Sequence, residues 1–411
     1  MDRDLDIVVF GASGFVGRLV ALHLARHAPP EVTVGLAGRS TAKLAAVRAE
    51  LGERAADWPI LLADSLDVAA LVRLASSARV VATTVGPYAR NGLALLGACV
   101  TSGTHYADLT GEVLFVRDSA QTFHEPARQA GVRLVHSCGF DSVPSDLSVL
   151  TLHEAAQAPL GRTVFTMVAA SGGFSGGTID SLRVQVDKVS ARPAWQSVLD
   201  DPYSLSPDRA GEPAMPGDLD RVTISRDPHT GRWTGPFVMG PFNTRIVRRS
   251  NALLNYEWGR SLVYSERMAF GRNLLSPVMA TATATALGLL PRALGFGPSR
   301  ILLDRVLPKP GQGPDEQART SGFFRCETTT TTVDDQQLVA TFVAPGDPGY
   351  GATSVMMGES VLELVGAPVE PGSARAGVVT PAVALGTPLA DRLRAHGFTI
   401  QVSKRWAVNT G

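Results

Sequence analysis

A chain of 411 residues is too long for one ordinary hydrophobic core, so two domains are expected. Hydrophobic residues make up 45% and charged residues 18%, which excludes an intrinsically disordered chain. The 38 basic residues balance the 38 acidic ones, so no global charge draws the protein to nucleic acid or to an anionic membrane. Cys99, Cys138 and Cys326 lie far apart and form no CxxC pair, which supports neither a disulfide framework nor a zinc knuckle. Reduced thiols and a cytoplasmic location are expected. The first residues, MDRDLD, lack the apolar stretch of a secretory signal.

The first predicted element is a strand-length apolar run, Ile7 to Phe10. It leads into Gly11-Ala12-Ser13-Gly14-Phe15-Val16-Gly17 and then an apolar helical pattern. Strand, glycine turn and helix in that order form a dinucleotide fingerprint, here spaced GxxGxxG. Gly11 permits the tight turn, Gly14 lets the backbone approach a pyrophosphate, and Gly17 lets the helix sit close to the strand. Ser13, Phe15 and Val16 complete the turn, whose free N–H groups face the phosphates. The second strand, Val32 to Ala37, ends in Gly38-Arg39-Ser40. An NAD site usually carries Asp or Glu there. Arg39, with Ser40 and Lys43 beside it, suits a 2′-phosphate, so the expected cofactor is NADP, in its reduced form NADPH.

The βα alternation continues. Pro59 to Ala63 ends at Asp64, a neighbour for the adenine, and Val80 to Val85 ends at Gly86-Pro87-Tyr88. His105 to Leu109 ends at Thr110-Gly111-Glu112, and Val132 to Ser137 ends at Cys138-Gly139-Phe140-Asp141. Ligands of such sheets lie outside the carboxyl ends of the strands. Val85, Gly86, Pro87, Cys138 and Gly139 therefore join the cofactor-binding set. Residues 1–148 read as a Rossmann-type NADP-binding domain of α/β class.

From Thr163 the texture changes to that of an α+β domain, expected over 149–390. Strands are predicted at Thr163 to Ala170, Leu262 to Phe270, Gly322 to Val333 and Leu338 to Val343, and helices at Ile179 to Val189 and Tyr350 to Val365. Residues 191–236 read as long loops and 307–318 as a Pro/Gly-rich connector. Residues 391–411 are expected to form a helix and a strand that pack back on the first domain. Leu274 to Leu290 carries no charge and is about long enough to cross a bilayer. Its three threonines and Pro277 argue instead for a buried helix, or for an apolar flap that shields a long acyl chain or touches the membrane surface.

The blocks GASGFVGRL, AGRS, TTVGPYARNG, HYADLTGE and CGFDSVPSDL resemble those of the saccharopine dehydrogenase-like oxidoreductases. SGGT, PFNTRIVRRSNAL, GDPGYGATSVMMGES and GVVTPAVALG extend the likeness over nearly the whole chain and resemble the trans-acting enoyl reductase branch. The resemblance implies an NADPH-dependent oxidoreductase of lipid biosynthesis that reduces a C=C bond of an acyl or polyketide intermediate. Its partners would be an acyl carrier protein or polyketide synthase. A homodimer and peripheral membrane contact stay open. A saccharopine-type amino-acid oxidoreductase and a non-catalytic NADP-sensing protein are the alternatives. Gly173-Phe174-Ser175-Gly176-Gly177 formally matches a GxSxG elbow, with Asp187 and His229 following. Such a pattern arises easily in glycine loops and is discounted. No tyrosine has a lysine four residues on, as a short-chain dehydrogenase would need.

Reduction of an enoyl group requires donors for the charge that develops on the thioester oxygen and a proton for the α-carbon. Tyr88 is the first candidate donor; packing under the cofactor is its equal alternative. Asp141 is a candidate proton relay, with a helix cap as its alternative. Asn243 and Arg245 are candidates to face the cleft from the second domain, and Tyr350 is a further candidate at a helix start. Arg245, Arg248 and Arg249 suit either the acidic surface of a carrier protein or a solvated face. His105, His136 and His396 read as structural. With no HExxH motif and no compact His/Cys cluster in the sequence, no metal is expected.

Overall fold

The computed structural model describes residues 3–171, 176–212, 222–306, 315–366 and 369–404. Their strands are β1 (Leu5–Phe10), β2 (Val34–Gly38), β3 (Ile60–Leu62), β4 (Ala78–Thr83), β5 (His105–Ala107), β6 (Arg133–Val135), β7 (Leu160–Ser171), β8 (Ser225–Arg226), β9 (Trp233–Pro236), β10 (Val263–Gly271), β11 (Phe323–Thr332), β12 (Gln337–Pro345), β13 (Gly377–Val379) and β14 (Thr399–Lys404). They form two seven-stranded sheets, ordered β13-β6-β5-β4-β1-β2-β3 and β14-β12-β11-β7-β10-β9-β8.

Every pairing in the first sheet is parallel. Its strands are short apolar runs because both faces are covered. Ile7, Val8 and Val9 of β1 are fully buried. The chain reverses its direction of travel across the sheet at β1, where Phe10 pairs with Ala37 of β2 and Thr83 of β4. That switch point is where an open α/β sheet leaves a crevice. In the second sheet β7 and β10 run parallel and the remaining pairs are antiparallel. The threonine run lies in β11, where alternate side chains face inward. Thr328, Thr330 and Thr332 are buried, and Thr330 Oγ1 meets Thr163 Oγ1 at 2.7 Å.

The two halves exchange elements. Helix Val143–Ala156, which spans the expected boundary at residue 148, packs on β7, β11, β12 and β14 of the second sheet. In return, helix Gly351–Gly366 lies on β1, β4 and β5 and against helix Phe15–His27, and β13 extends the first sheet beyond β6. The C-terminal strand β14 pairs with β12, so it belongs to the second sheet and not to the first domain as expected. The preceding helix, Gly386–Ala395, packs on Gly351–Gly366 and Val143–Ala156.

Residues 191–236 are less irregular than their composition suggests, with helix Trp195–Asp200, β8 and β9 among the described residues. The uncharged stretch forms helix Ser276–Gly295 at the surface, with Ser276, Ala280 and Leu294 buried. The buried-helix expectation fails: the side of the helix that carries Ala280 packs on β9, while Val278, Met279 and Leu289 stay exposed. No helix of the described residues is long and apolar enough to cross a membrane.

Candidate active site

The carboxyl ends of β1, β2, β3 and β4 bring Gly11–Gly17, Arg39, Asp64 and Val85–Pro87 to one edge. Gly11 has φ +91°, open to glycine at little cost, and a side chain there would strike Thr84 and Val85. A Cβ at Gly17 would overlap the Gly11 carbonyl oxygen, so only glycine lets this helix approach the turn. Gly14 is exposed at the N-cap of helix Phe15–His27, with Ser13, Phe15 and Val16 half-buried around it. No side chain caps that helix, and its first N–H groups are left for an anionic group.

Arg39 is exposed beyond β2 and has neither hydrogen bond nor ion pair among the described residues, and Lys43 is exposed beside it. Ser40 caps helix Thr41–Glu50, its Oγ accepting from the Lys43 N–H at 3.4 Å. Asp64 turns the chain after β3 by accepting from the Leu66 N–H at 2.9 Å. Val85 and Pro87 are half-buried and Gly86 is exposed, with a cis bond joining Gly86 to Pro87. A cradle that only glycines fit, a free helix N-terminus and an unpaired arginine at the second strand end suit a phosphorylated dinucleotide.

Behind this edge lies a buried polar network that sequence reasoning missed. Asp108 accepts from the Tyr106 hydroxyl at 2.8 Å, from the Thr110 and Ser137 N–H groups at 3.0 and 2.9 Å, and meets His136 Nδ1 at 2.7 Å. The other His136 nitrogen meets Ser119 Oγ at 2.8 Å. Glu112 accepts from the N–H groups of Tyr88 and Ala89 at 2.9 and 2.8 Å and from Ser181 Oγ at 2.8 Å. Burial pushes its carboxyl above the usual range. The only local signal was the position of Asp108 and Glu112 in HYADLTGE, just past β5.

Tyr88 belongs to this network. It is buried, its hydroxyl donates to the Thr83 carbonyl at 3.3 Å and accepts from the Leu109 N–H at 3.2 Å, and its ring stacks on Phe115. Burial, then the Asp108 charge, pushes the phenol well above its ordinary value. Expected as a donor toward the substrate, this hydroxyl is engaged here by the Thr83 carbonyl and the Leu109 N–H. Asp141 differs. It is half-buried, and the helix after it is capped neither by Asp141 nor by the N-cap residue Ser142. Burial and the Asp108 charge raise its carboxyl to about 7. Its neighbour Phe140 is held across the halves of the molecule, the Phe140 N–H donating to Thr353 Oγ1 at 3.0 Å and its ring meeting Phe324 edge-on.

The second-domain candidates divide. Tyr350 is buried and meets the Phe15 ring edge-on at 4.8 Å, which places the GDPGYGATS turn against the glycine turn. Asn243 does not face a cleft: it is buried, accepts from Ser142 Oγ, and donates to Ser145 Oγ and Glu266 Oε2. Arg245, Arg248 and Arg249 are buried too and form no solvated face. Arg245 donates to the Leu199 and Pro241 carbonyls, Arg248 to those of Pro202 and Tyr264, and Arg249 to those of Leu205 and Val378. They tie the 199–205 segment to helix Gly240–Leu253 and have no surface to offer a carrier protein. Cys138 is fully buried with its thiol pushed up by burial, and Gly139 is pressed between Leu109 and Thr353. Gly173, Phe174 and Ser175 lie outside the described residues, and Asp187 pairs with Arg300.

Residues 7–135 match the saccharopine dehydrogenase NADP-binding domain. Over 414 aligned residues, covering 98% of each chain, the sequence is 46% identical to a Mycobacterium tuberculosis protein named for trans-acting enoyl reduction. It is 41% identical, again over 98% of both chains, to the trans-acting enoyl reductase of Mycobacterium ulcerans. The chain belongs to the trans-acting enoyl reductases. As a member of that family it is an NADP-dependent oxidoreductase, and its first sheet carries the NADP-binding domain. The fold is shared with the saccharopine dehydrogenase (L-Glu forming) of Saccharomyces cerevisiae, at a TM-score of 0.56 and 12% identity over 98% of this chain and 100% of that one.

Proposed function

We propose that the chain reduces a carbon–carbon double bond in a lipid-like acyl or polyketide intermediate presented by a separate synthase or acyl carrier protein. When bound, NADPH supplies the hydride. Gly11, Ser13, Gly14, Phe15, Val16 and Gly17 hold the pyrophosphate, and Arg39, Ser40 and Lys43 take the 2′-phosphate. Asp64 lies toward the adenine, and Val85, Gly86, Pro87 and the backbone of Cys138 and Gly139 line the way to the nicotinamide. Tyr88 and Tyr350 act as positioning residues, one beneath the β4 turn and one against Phe15.

The observation that carries this reading is Asp141. A carboxyl in the turn beyond β6, free of capping duty and raised to about 7 by its burial, still holds its proton near neutrality. It gives that proton to the substrate α-carbon and regains one from solvent. The amino-acid alternative would need paired arginines for substrate carboxylates. Arg245, Arg248 and Arg249 are instead engaged with backbone carbonyls, which favours the acyl reading.

Helix Ser276–Gly295 supplies the route for a lipid. Leu275, Val278, Met279 and Leu289 are exposed on it, Leu274, Phe296, Ile301 and Leu302 continue the surface, and Arg272, Arg292 and Arg305 edge it. An apolar face with basic edges fits the surface of an anionic membrane. The test follows NADPH consumption with enoyl thioesters of graded chain length and with saccharopine-type imines, with and without anionic vesicles. Enoyl substrates should consume NADPH, and Leu289→Asp should impair long chains more than short ones. Turnover of the imines alone would overturn the reading.

A further inference from the structure

Three of the chain's eight histidines converge on one buried glutamate, although they come from distant parts of the sequence. His23 and His27 lie one turn apart on helix Phe15–His27, Glu359 is on helix Gly351–Gly366, and His396 caps the end of helix Gly386–Ala395. Glu359 Oε1 lies 2.7 Å from His23 Nε2 and 2.9 Å from His396 Nε2. The three imidazole centroids stand 4.7, 4.7 and 5.0 Å apart. His23 and Glu359 are buried, His396 is half-buried and His27 is exposed, so the cluster is closed within and open at one side. Gly358 makes room for it, since a Cβ there would overlap the His23 ring.

We propose that His23 Nε2, His396 Nε2 and Glu359 Oε1 form a site for a divalent transition metal, Zn2+ by donor chemistry. Two imidazoles and one carboxylate suit zinc, whereas Mg2+ and Ca2+ seek oxygen donors. The second carboxylate oxygen is already held: Glu359 Oε2 accepts from Arg392 at 3.1 Å, and Arg392 also donates to Glu363 at 3.1 Å. This outer bond fixes the carboxylate with Oε1 toward the rings. Without metal, protons bridge the nitrogens and Oε1. At zinc–ligand distances of about 2.0–2.2 Å, tetrahedral donors stand roughly 3.4 Å apart, so uptake moves each nitrogen about half an ångström away from Oε1 and holds the two nitrogens, which lie within 4.8 Å of each other, at that same spacing. His396, at a helix end, can give that much. Uptake takes the bridging protons off these nitrogens and leaves a fourth position for water.

The ion would join one helix of the NADP-binding sheet to two helices from the C-terminal part of the chain. His23 is eight residues beyond Phe15, about 12 Å along the helix, so the ion braces the glycine turn without touching the nucleotide.

The test uses the full chain with any affinity tag removed and metal stripped by a chelator. Zn2+ is titrated by calorimetry and by thermal unfolding, and Co2+ by visible absorption. One Zn2+ should bind per chain and raise Tm, and Co2+ should give the intense absorption of a tetrahedral site. His396→Ala, at a half-buried position, should weaken Zn2+ by at least about tenfold. His229→Ala, in an exposed turn, should bind as the wild type does. Absence of saturable binding in the untagged wild type, or equal affinity in wild type and His396→Ala, would overturn the site and leave a proton-bridged cluster. NADPH binding, measured in the same samples, separates this result from the fate of the proposed reaction.

Discussion

The first sheet is built from short, parallel, buried strands, and the second from long, mostly antiparallel ones. In the first, residues with chemical reach stand in the turns beyond the strand ends, where the backbone is open to a ligand: Gly14, Arg39, Gly86 and Asp141. In the second, polar residues of similar promise, such as Asn243 and the Arg245–Arg249 run, are turned inward and consumed by hydrogen bonds. A parallel sheet gathers its loops at one end and so assembles a site from several turns. Here the second half contributes cover instead. It brings Tyr350 to the glycine turn and helix Gly351–Gly366 onto the first sheet.

That contrast can be broken by pH and by mutation. Asp146 is fully buried at the seam between the halves, accepting from Ser250 Oγ at 2.6 Å and the Ala382 N–H at 2.8 Å, and burial raises its carboxyl to about 7. Between pH 4 and 7 the folded state keeps this proton while the unfolded chain has lost it. The unfolded state then binds fewer protons, and stability falls as pH rises through the window. The raised value corresponds to an effect on the order of 4 kcal/mol at most. Urea unfolding across that range should show a flatter slope for Asp146→Asn than for the wild type.

Arg249→Ala should cost about 2–4 kcal/mol of stability by taking a charged donor from the buried Leu205 and Val378 carbonyls, while NADPH affinity per folded molecule is unchanged. Arg39→Asp should do the reverse. NADPH affinity falls by about 2 kcal/mol, NADH binding changes much less, and Tm stays put, because Arg39 holds nothing in the fold. Equal wild-type affinity for NADH and NADPH would remove the role given to Arg39. The smallest effect belongs to Tyr88→Phe, which loses the bonds to Thr83 and Leu109. Stability should drop by about 1 kcal/mol and kcat should change by only a few fold.

The glycine turn and the strands beyond it were legible because the signal is local: an apolar run, three spaced glycines and a helical period lie within about twenty residues. Gly11 and Gly17 carry the conformation and the packing that their positions implied. Strand β13 was not legible, since three residues, Gly377–Val379, carry no periodicity and join the first sheet only through pairing with β6. The arginine run misled for a related reason. Consecutive charges read as a solvated face until a distant segment supplies carbonyls to bury them. The His23–Glu359–His396 cluster spans 336 residues between its first two members and exists only in the fold. Tyr88 sat where a donor was wanted, but its hydroxyl partners, Thr83 and Leu109, are set by packing between neighbouring strands.

The most direct measurement is the pH dependence of steady-state reduction of an enoyl thioester by NADPH in wild type and Asp141→Asn. With Asp141 as proton donor, wild-type kcat should fall as pH rises through about 7. Asp141→Asn should lose roughly 10²–10⁴-fold in kcat and lose that limb of the profile, while binding NADPH as tightly as before. Wild-type kcat in Asp141→Asn, with the limb still present, would contradict the assignment of the proton to Asp141.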